Sequence, residues 1–239
     1  MTADIATVMW KEWRTLLGGR SRRQLAMTAG MLLLFGAYLP WSAGSEWAGD
    51  VWIFAVAGAV VAASILVPDA IAGERERHTL ATLLASRLPD RAILFGKLGF
   101  ALMISVALTV VLMAVSLVVA NIKAGELFFY SPDVLFTDLG FTIALAAFTC
   151  TLGVFISLRS RTVQEAQQLL GVLMLVPPML VTLVGTAIGA AGGPPPAIRD
   201  LLASLDLTTM LLVIGAIVVL VDVALAIAAA RTFRRDRLI

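Results

Sequence analysis

Six long apolar runs occupy most of this chain, and they leave few architectures open. They lie at about Leu25–Ala43, Val51–Ala72, Leu98–Ala120, Leu139–Leu158, Leu169–Ala190 and Thr208–Ala230. A helix that crosses a bilayer needs about 20 mostly apolar residues. A membrane β-strand reads instead as about ten residues of alternating polarity. These runs are continuous and longer than that, so each predicts a spanning helix. Composition agrees. Of the 239 residues, 60% are hydrophobic and 14% are charged, where a soluble domain carries about 25% charged residues. The spans consume most of the length, and no separate soluble domain is expected.

Lysine and arginine are distributed unevenly between the connecting segments. The N-terminal segment carries Lys11, Arg14, Arg20, Arg22 and Arg23, and the 73–97 segment carries Arg75, Arg77, Arg87, Arg91 and Lys97. With Arg159, Arg161 and the C-terminal arginines, alternate segments hold 16 basic residues on one side and 2 on the other. The positive-inside rule then predicts both termini in the cytoplasm, as an even number of spans also requires. Basic residues ahead of Leu25–Tyr38 imitate a signal peptide. However, the 24 residues before it are too long for a simple n-region, and cleavage would leave five spans with the basic 73–97 segment outside. The first run is therefore expected to stay.

Residues 1–24 predict an amphipathic helix. Ile5, Val8, Met9, Trp13, Leu16 and Leu17 recur at spacings of three and four, one face of a helix. Lys11, Glu12 and Arg14 fall largely elsewhere, and Trp10 and Trp13 suit the headgroup boundary. We expect this helix to lie along the cytoplasmic membrane surface, with Arg20, Arg22 and Arg23 facing anionic headgroups.

The 73–97 segment is too elaborate for a turn between two antiparallel spans. Glu74, Arg75, Glu76 and Arg77 read as a solvated charged turn, followed by His78 and Thr79. Leu80, Leu83, Leu84 and Leu88 then repeat at helical spacing, and Pro89 stops the ladder because it has no N–H. A second helical start at Asp90 and Arg91 runs through Ile93 and Leu94 into the third span. The leucine face needs a surface to bury against: the membrane, the bundle or a soluble partner.

Here the residues resemble a known family. Asp69, Gly73-Glu74-Arg75-Glu76, Thr79-Leu80, Leu83-Leu84 and Ser86, followed by Ile93-Leu94 and Gly96-Lys97, are similar to the segment between spans two and three of type-2 ABC transporter permeases. Lys11-Glu12-Trp13-Arg14 resembles that family's connecting helix. Leu152-Gly153, Ile156-Ser157 and Ala166-Gln167-Gln168 resemble its junction of spans four and five. His78 stands where the family commonly has glycine, and Arg87 where it commonly has proline; here the proline is displaced to Pro89, which predicts a coupling helix extended by about half a turn.

The resemblance implies an exporter subunit that dimerises with itself or a similar permease and carries two copies of a separate ATPase on its cytoplasmic face. A coupling helix comprising Glu74, Arg75, Glu76, Arg77, His78, Thr79, Leu80, Leu83, Leu84, Ser86 and Arg87 would dock on that ATPase. Lys11, Glu12, Trp13 and Arg14 would form the connecting helix, and short re-entrant helices would follow span five. The setting is a prokaryotic cell membrane. The competing reading is a transporter or channel without an ATPase.

No cofactor is expected on the chain itself. A phosphate-binding loop ending at Gly96-Lys97 would need glycine at Arg91 and serine or threonine at Leu98, so ATP and Mg are expected on the partner. His78 is the single histidine and reads as a solvated surface residue, so no metal site and no catalytic residue is expected. Net charge is +2, which gives nucleic-acid binding no support. Cys150 reads as a small apolar packing residue. Asp222 lies in the sixth span, about 13 Å along the helix from Arg231. It is the candidate intramembrane polar site, for substrate or for another helix. Asp69 is expected to pair with arginines of the coupling segment. Pro177-Pro178 predicts a kink or break in span five. Asn121, Lys123 and Asp138, with Phe128, Phe129 and Tyr130, predict the outer boundary.

Overall fold

In lipid, a continuous apolar segment has to satisfy its own backbone hydrogen bonds, and a helix does so within one segment. The computed structural model describes residues 2–18, 26, 29–42, 56–58, 60–61, 63–64, 67–127, 129–190, 192–193, 195 and 207–232, and no strand occurs among them. The helices are α1 (Thr2–Gly18), α2 (Ala29–Ser42, with π-type turns over Leu32–Tyr38), α3 (Ala72–Glu76), α4 (Leu80–Leu84), α5 (Asp90–Ala124), α6 (Pro132–Arg159), α7 (Val163–Ala190) and α8 (Leu207–Thr232). Four of them, α5 to α8, are long and apolar enough to cross a membrane. The first predicted span is represented by α2, and the second by helical residues within 56–64. The remainder of both runs, and the re-entrant region 197–205, lie outside the described residues.

Helix α5 has 35 residues, about 52 Å at 1.5 Å per residue. A bilayer core of about 30 Å cannot contain that length, so the first turns of α5 stand clear of it. Pro89 precedes α5 in an extended conformation, ψ 145°. Gly125 ends α5 at φ 71°, a left-handed position that suits glycine, with its N–H 3.0 Å from Asn121 O. Helix α7 runs unbroken through Pro177-Pro178, so the expected break does not occur. Spanning helices tolerate proline better than soluble ones do.

The core is concentrated at the basic end of the bundle. Ile71, Leu80, Ile93, Leu94, Val154, Leu158 and Ala229 are buried together with Cys150, and Leu83, Leu88 and Phe155 pack against them. A second cluster at the other end joins Val56, Leu112 and Met113 with Phe35 and Tyr130. Helix α1 packs on α5. Its apolar face is covered by α5: Val8 is buried, a Cβ added to Gly96 would come 2.6 Å from Val8 Cβ, and one added to Gly99 would meet Met9 Sδ at 3.5 Å. Gly96 thus lets α1 approach closely, and α5 covers the Val8–Met9 part of the apolar face. Trp10 and Trp13 remain exposed, with the Arg14 guanidinium 5.4 Å from the Trp10 ring centre.

Between spans two and three the chain forms two short helices. Leu80, Leu83 and Leu88 turn inward onto the bundle core, so the bundle buries the leucine face; the Leu84 side chain lies outside the described ones. Helix α4 ends at Leu84 instead of extending toward Leu88. The Ser86 hydroxyl donates to Leu83 O at 2.7 Å, and Pro89 disfavours helical geometry at the residue before it.

Helix α3 ends in a Schellman arrangement, Thr79 N–H to Glu74 O at 2.9 Å and His78 N–H to Arg75 O at 3.1 Å. His78 takes the left-handed position, φ 57°. A Cβ there costs about 1–2 kcal/mol. His78→Gly is therefore expected to raise stability by about 1 kcal/mol after glycine's greater chain entropy is counted. Thermal unfolding of the purified chain checks this, and an unchanged or lower midpoint contradicts it.

Candidate functional site

Charged side chains gather where α1, α3 and the first turns of α5 meet. Lys97 projects from α5 and is 4% exposed. Its Nζ donates to Glu12 Oε1 at 2.7 Å and to Glu74 Oε1 at 3.1 Å. Lys11 Nζ completes the group, 2.6 Å from Glu74 Oε1 and 3.3 Å from Glu12 Oε1. Two ammonium groups thus each bridge the same two carboxylates, and the four charges cancel. The Thr79 hydroxyl bonds Glu74 Oε2, so both oxygens of that carboxylate are occupied.

Glu74 is 7% exposed, which corrects its reading as part of a solvated turn. Burial works against its ionised form, but the charge of Lys97, the hydrogen bonds from Lys11 and Thr79 and the charge of Lys11 outweigh it and pull the pKa to about 2. Burial likewise opposes the ionised form of Lys11. The hydrogen bond to Glu74 and the charges of Glu12 and Glu74 overcome it, and Lys11 is raised above 10.5.

The other charges of α3 turn outward from this group. Arg77 Nη2 holds the Asp69 carboxylate at 2.6 and 2.9 Å, the pairing expected for Asp69. Arg75 Nη2 lies 3.2 Å from Leu158 O, and its Nη1 bonds Ser160 O, both at the end of α6. Glu76 Oε1 accepts the Val163 N–H at the start of α7 at 2.8 Å. His78, Ala81, Thr82, Ala85 and Arg87 are exposed around α4.

The structure therefore joins Lys11 and Glu12 to Glu74 and adds Lys97, which sequence reasoning placed only as a flank of the third span. The signal that could have found it is a lysine seven residues into a 35-residue helix that is otherwise apolar there. Trp13 and Arg14 stand apart from the group. Asp222 is separate as well. It lies near Thr151 of α6, and its Oδ1 is buried without a hydrogen-bond partner among the described residues. At the far end, Lys123 bonds the Trp41 carbonyl and lies 5.8 Å from that ring's centre. Phe129 is exposed, while Phe128 and the Asp138 side chain lie outside what is described.

A family model described as ABC-2 type transporter matches residues 3–187, from α1 to the last turn of α7. No curated protein matches the chain.

Two measurements test the charged group. Lys97→Met leaves two buried carboxylates with one half-exposed ammonium, and breaking a buried pair costs about 3–5 kcal/mol. Arg77→Ala opens a pair whose side chains are 55% and 45% exposed, worth about 0–1 kcal/mol. The unfolding midpoint is expected to fall much further for Lys97→Met than for Arg77→Ala; equal losses contradict the account. In acid, the contribution of Glu74 is complete above its unfolded value near 4.5 and disappears as pH falls toward its folded value of about 2. Across that window wild type should lose stability more steeply than Glu74→Gln, as thermal unfolding at stepped pH would show.

Proposed function

Because the chain belongs to the ABC-2 type transporter family, as one of its membrane permeases, we propose that it is the transmembrane subunit of an ATP-driven exporter. It works as a dimer, with itself or with a similar permease, in a prokaryotic cell membrane. Six spans cross that membrane and both termini face the cytoplasm. Two copies of a separate ATPase bind the basic end, and ATP and Mg bind to them. The chain itself is not an enzyme.

The observation that supports this reading best is the state of the 72–88 segment. Three buried or half-buried leucines and the Glu74 ion pairs fix it to the bundle, while Ala81, Thr82 and Ala85 leave a low, open outer side on α4. A rigid projection with a small-residue face suits docking into a partner's groove. A loose interfacial loop would need neither the ion pairs nor the inward leucines. In the proposed cycle, ATP binding draws the ATPases together. That motion enters through residues 74–88 and α1, and the two half-bundles rock to open a pathway at their interface.

Association with an ABC ATPase, sought first in a neighbouring reading frame, is the direct test. Thr82→Trp and Ala85→Trp should weaken association at least about tenfold, the scale of a blocked interface centre. Both positions are exposed, so the unfolding midpoint should stay near wild type. Leu83→Asp is expected to destabilise the chain itself, because Leu83 packs inward. Undiminished association in both tryptophan variants would remove α4 as the docking element, and a chain that never associates would favour the ATPase-independent transporter or channel.

A further inference from the structure

Helix α3 has only five residues, yet it grips the ends of two spanning helices besides α1 and α5. The Ala72 N–H donates to Ser157 Oγ at 2.8 Å, and that hydroxyl donates to Pro68 O at 2.8 Å. Arg75 bonds the last carbonyls of α6, Leu158 O and Ser160 O. Glu76 takes the first N–H of α7, on Val163. A helix C-terminus leaves carbonyls unpaired and favours a cation, whereas an N-terminus leaves N–H groups unpaired and favours an anion. Arg75 and Glu76 each carry the sign that the end they hold requires.

Helix α7 depends on this grip more than its neighbours do. It has 28 residues, about 42 Å, and only 6% of its most apolar window is buried. Ala166 and Leu170, near its start, are fully buried against Ala72 and Ile156. Beyond them Leu173, Leu175, Met179, Leu180 and Leu183 are all exposed. Met174 still packs on this patch, its Sδ 3.8 Å from the Thr149 hydroxyl of α6, and beyond it the helix is sparsely covered. The packed part, 163–174, is about 18 Å long and the remainder, 175–190, about 24 Å, so a small displacement at the grip is passed on, slightly enlarged, to the far end.

We propose that Arg75 and Glu76 are positioning residues that clamp the α6–α7 junction to the coupling segment, making α7 a lever driven from α3. The lever's driving force rests on the ATPase reading above, whereas the clamp belongs to this chain alone. Displacement of α4 carries α3 with it, and α3 then moves the first turn of α7 through the Val163 N–H and the Arg75 contacts. The far half of α7, whose described side chains beyond Met174 are exposed, then swings against α6.

The clamp is tested on the full chain in lipid nanodiscs without any partner. Glu76→Ala removes the acceptor, Glu76→Gln keeps an oxygen in place, and Val163→Pro removes the donor at a first-turn position that tolerates proline. Thr162 Oγ1, which accepts the Glu165 N–H at 3.1 Å, still caps α7 in each variant. Hydrogen exchange of amides 164–167 should be about tenfold faster in Glu76→Ala and Val163→Pro and unchanged in Glu76→Gln. Wild-type exchange in Glu76→Ala and Val163→Pro overturns the clamp.

The lever is tested in the complex with the ATPase, using spin labels at the exposed positions Ile143 on α6 and Leu180 on α7. Nucleotide should shift that distance in wild type and in Glu76→Gln. In Glu76→Ala and Arg75→Met the shift should vanish although the ATPase still co-purifies. A full shift in both of these overturns the lever. If wild type never binds the ATPase, the docking reading is the one that fails, and the exchange measurement still decides the clamp.

Discussion

The pairing of Lys11 and Lys97 with Glu12 and Glu74 is the constraint on which the basic end is built. Lys97 and Glu74 are the buried pair, and each would lose several kcal/mol of hydration unless paired and fully hydrogen-bonded. Both lysines contact both carboxylates, and Thr79 occupies the remaining oxygen of Glu74. Neither Lys97 nor Glu74 can leave without stranding the other. A 17-residue helix such as α1 is marginal alone in water, and here it is held to α5 by charge at Lys11 and Glu12 and by close contact at Val8 and Gly96. Helix α3 is too short to persist unaided and is fixed by the same group. The projection at residues 72–88 is therefore part of the bundle.

What could be read in the sequence divides along a physical line. Properties of one segment were legible. Continuous apolar runs announced α5 to α8, Pro89 announced a boundary before α5, and the leucine spacing announced a helix at residues 80–84. Properties that need a partner distant in sequence were not. Glu74 looked solvated because its neighbours are charged, whereas its own contacts lie 63 residues away at Lys11 and 23 away at Lys97. The apolar face of α1 is visible, but the close contact that covers Val8 depends on Gly96 in another helix. His78, where the family commonly has glycine, is explained by the backbone: a left-handed residue closing α3. Pro177-Pro178 does not interrupt α7, because proline costs less in a membrane-spanning helix than in water.

The long helices differ sharply in how much of their apolar surface this chain covers. The most apolar window of α6 is 44% buried and that of α5 28%, against 6% for both α7 and α8. Helix α6 is the shared wall: α8 lies along it, and α5 and α7 also pack on it. Apolar side chains on α7 and α8 are left for lipid or for another protein. In lipid neither carries a hydrophobic penalty, because acyl chains are as apolar as leucine. Helix α8 is nevertheless held along α6 and by Ala229 in the basic-end core, whereas α7 is held mainly near its start and can change neighbours at smaller cost.

This asymmetry decides where a pull on residues 72–88 can go. The basic-end core locks α3 and α4 to α5 and α6 through Ile71, Leu80, Ile93, Leu94 and Leu158. A force entering at α4 could deform that core only by opening close-packed contacts, which costs energy at every step. Helix α7 presents a softer path. Its grip on α3 is polar and local, at Glu76 and Val163, backed by a short apolar patch around Ala166 and Leu170, and little opposes its far end. Under the proposed cycle, a pull on residues 72–88 would be expressed chiefly as rotation of α7. A helix that moves readily must be sparsely packed along its length, and one that moves on command must be firmly held at the commanded end. Helix α7 meets both conditions within this single chain.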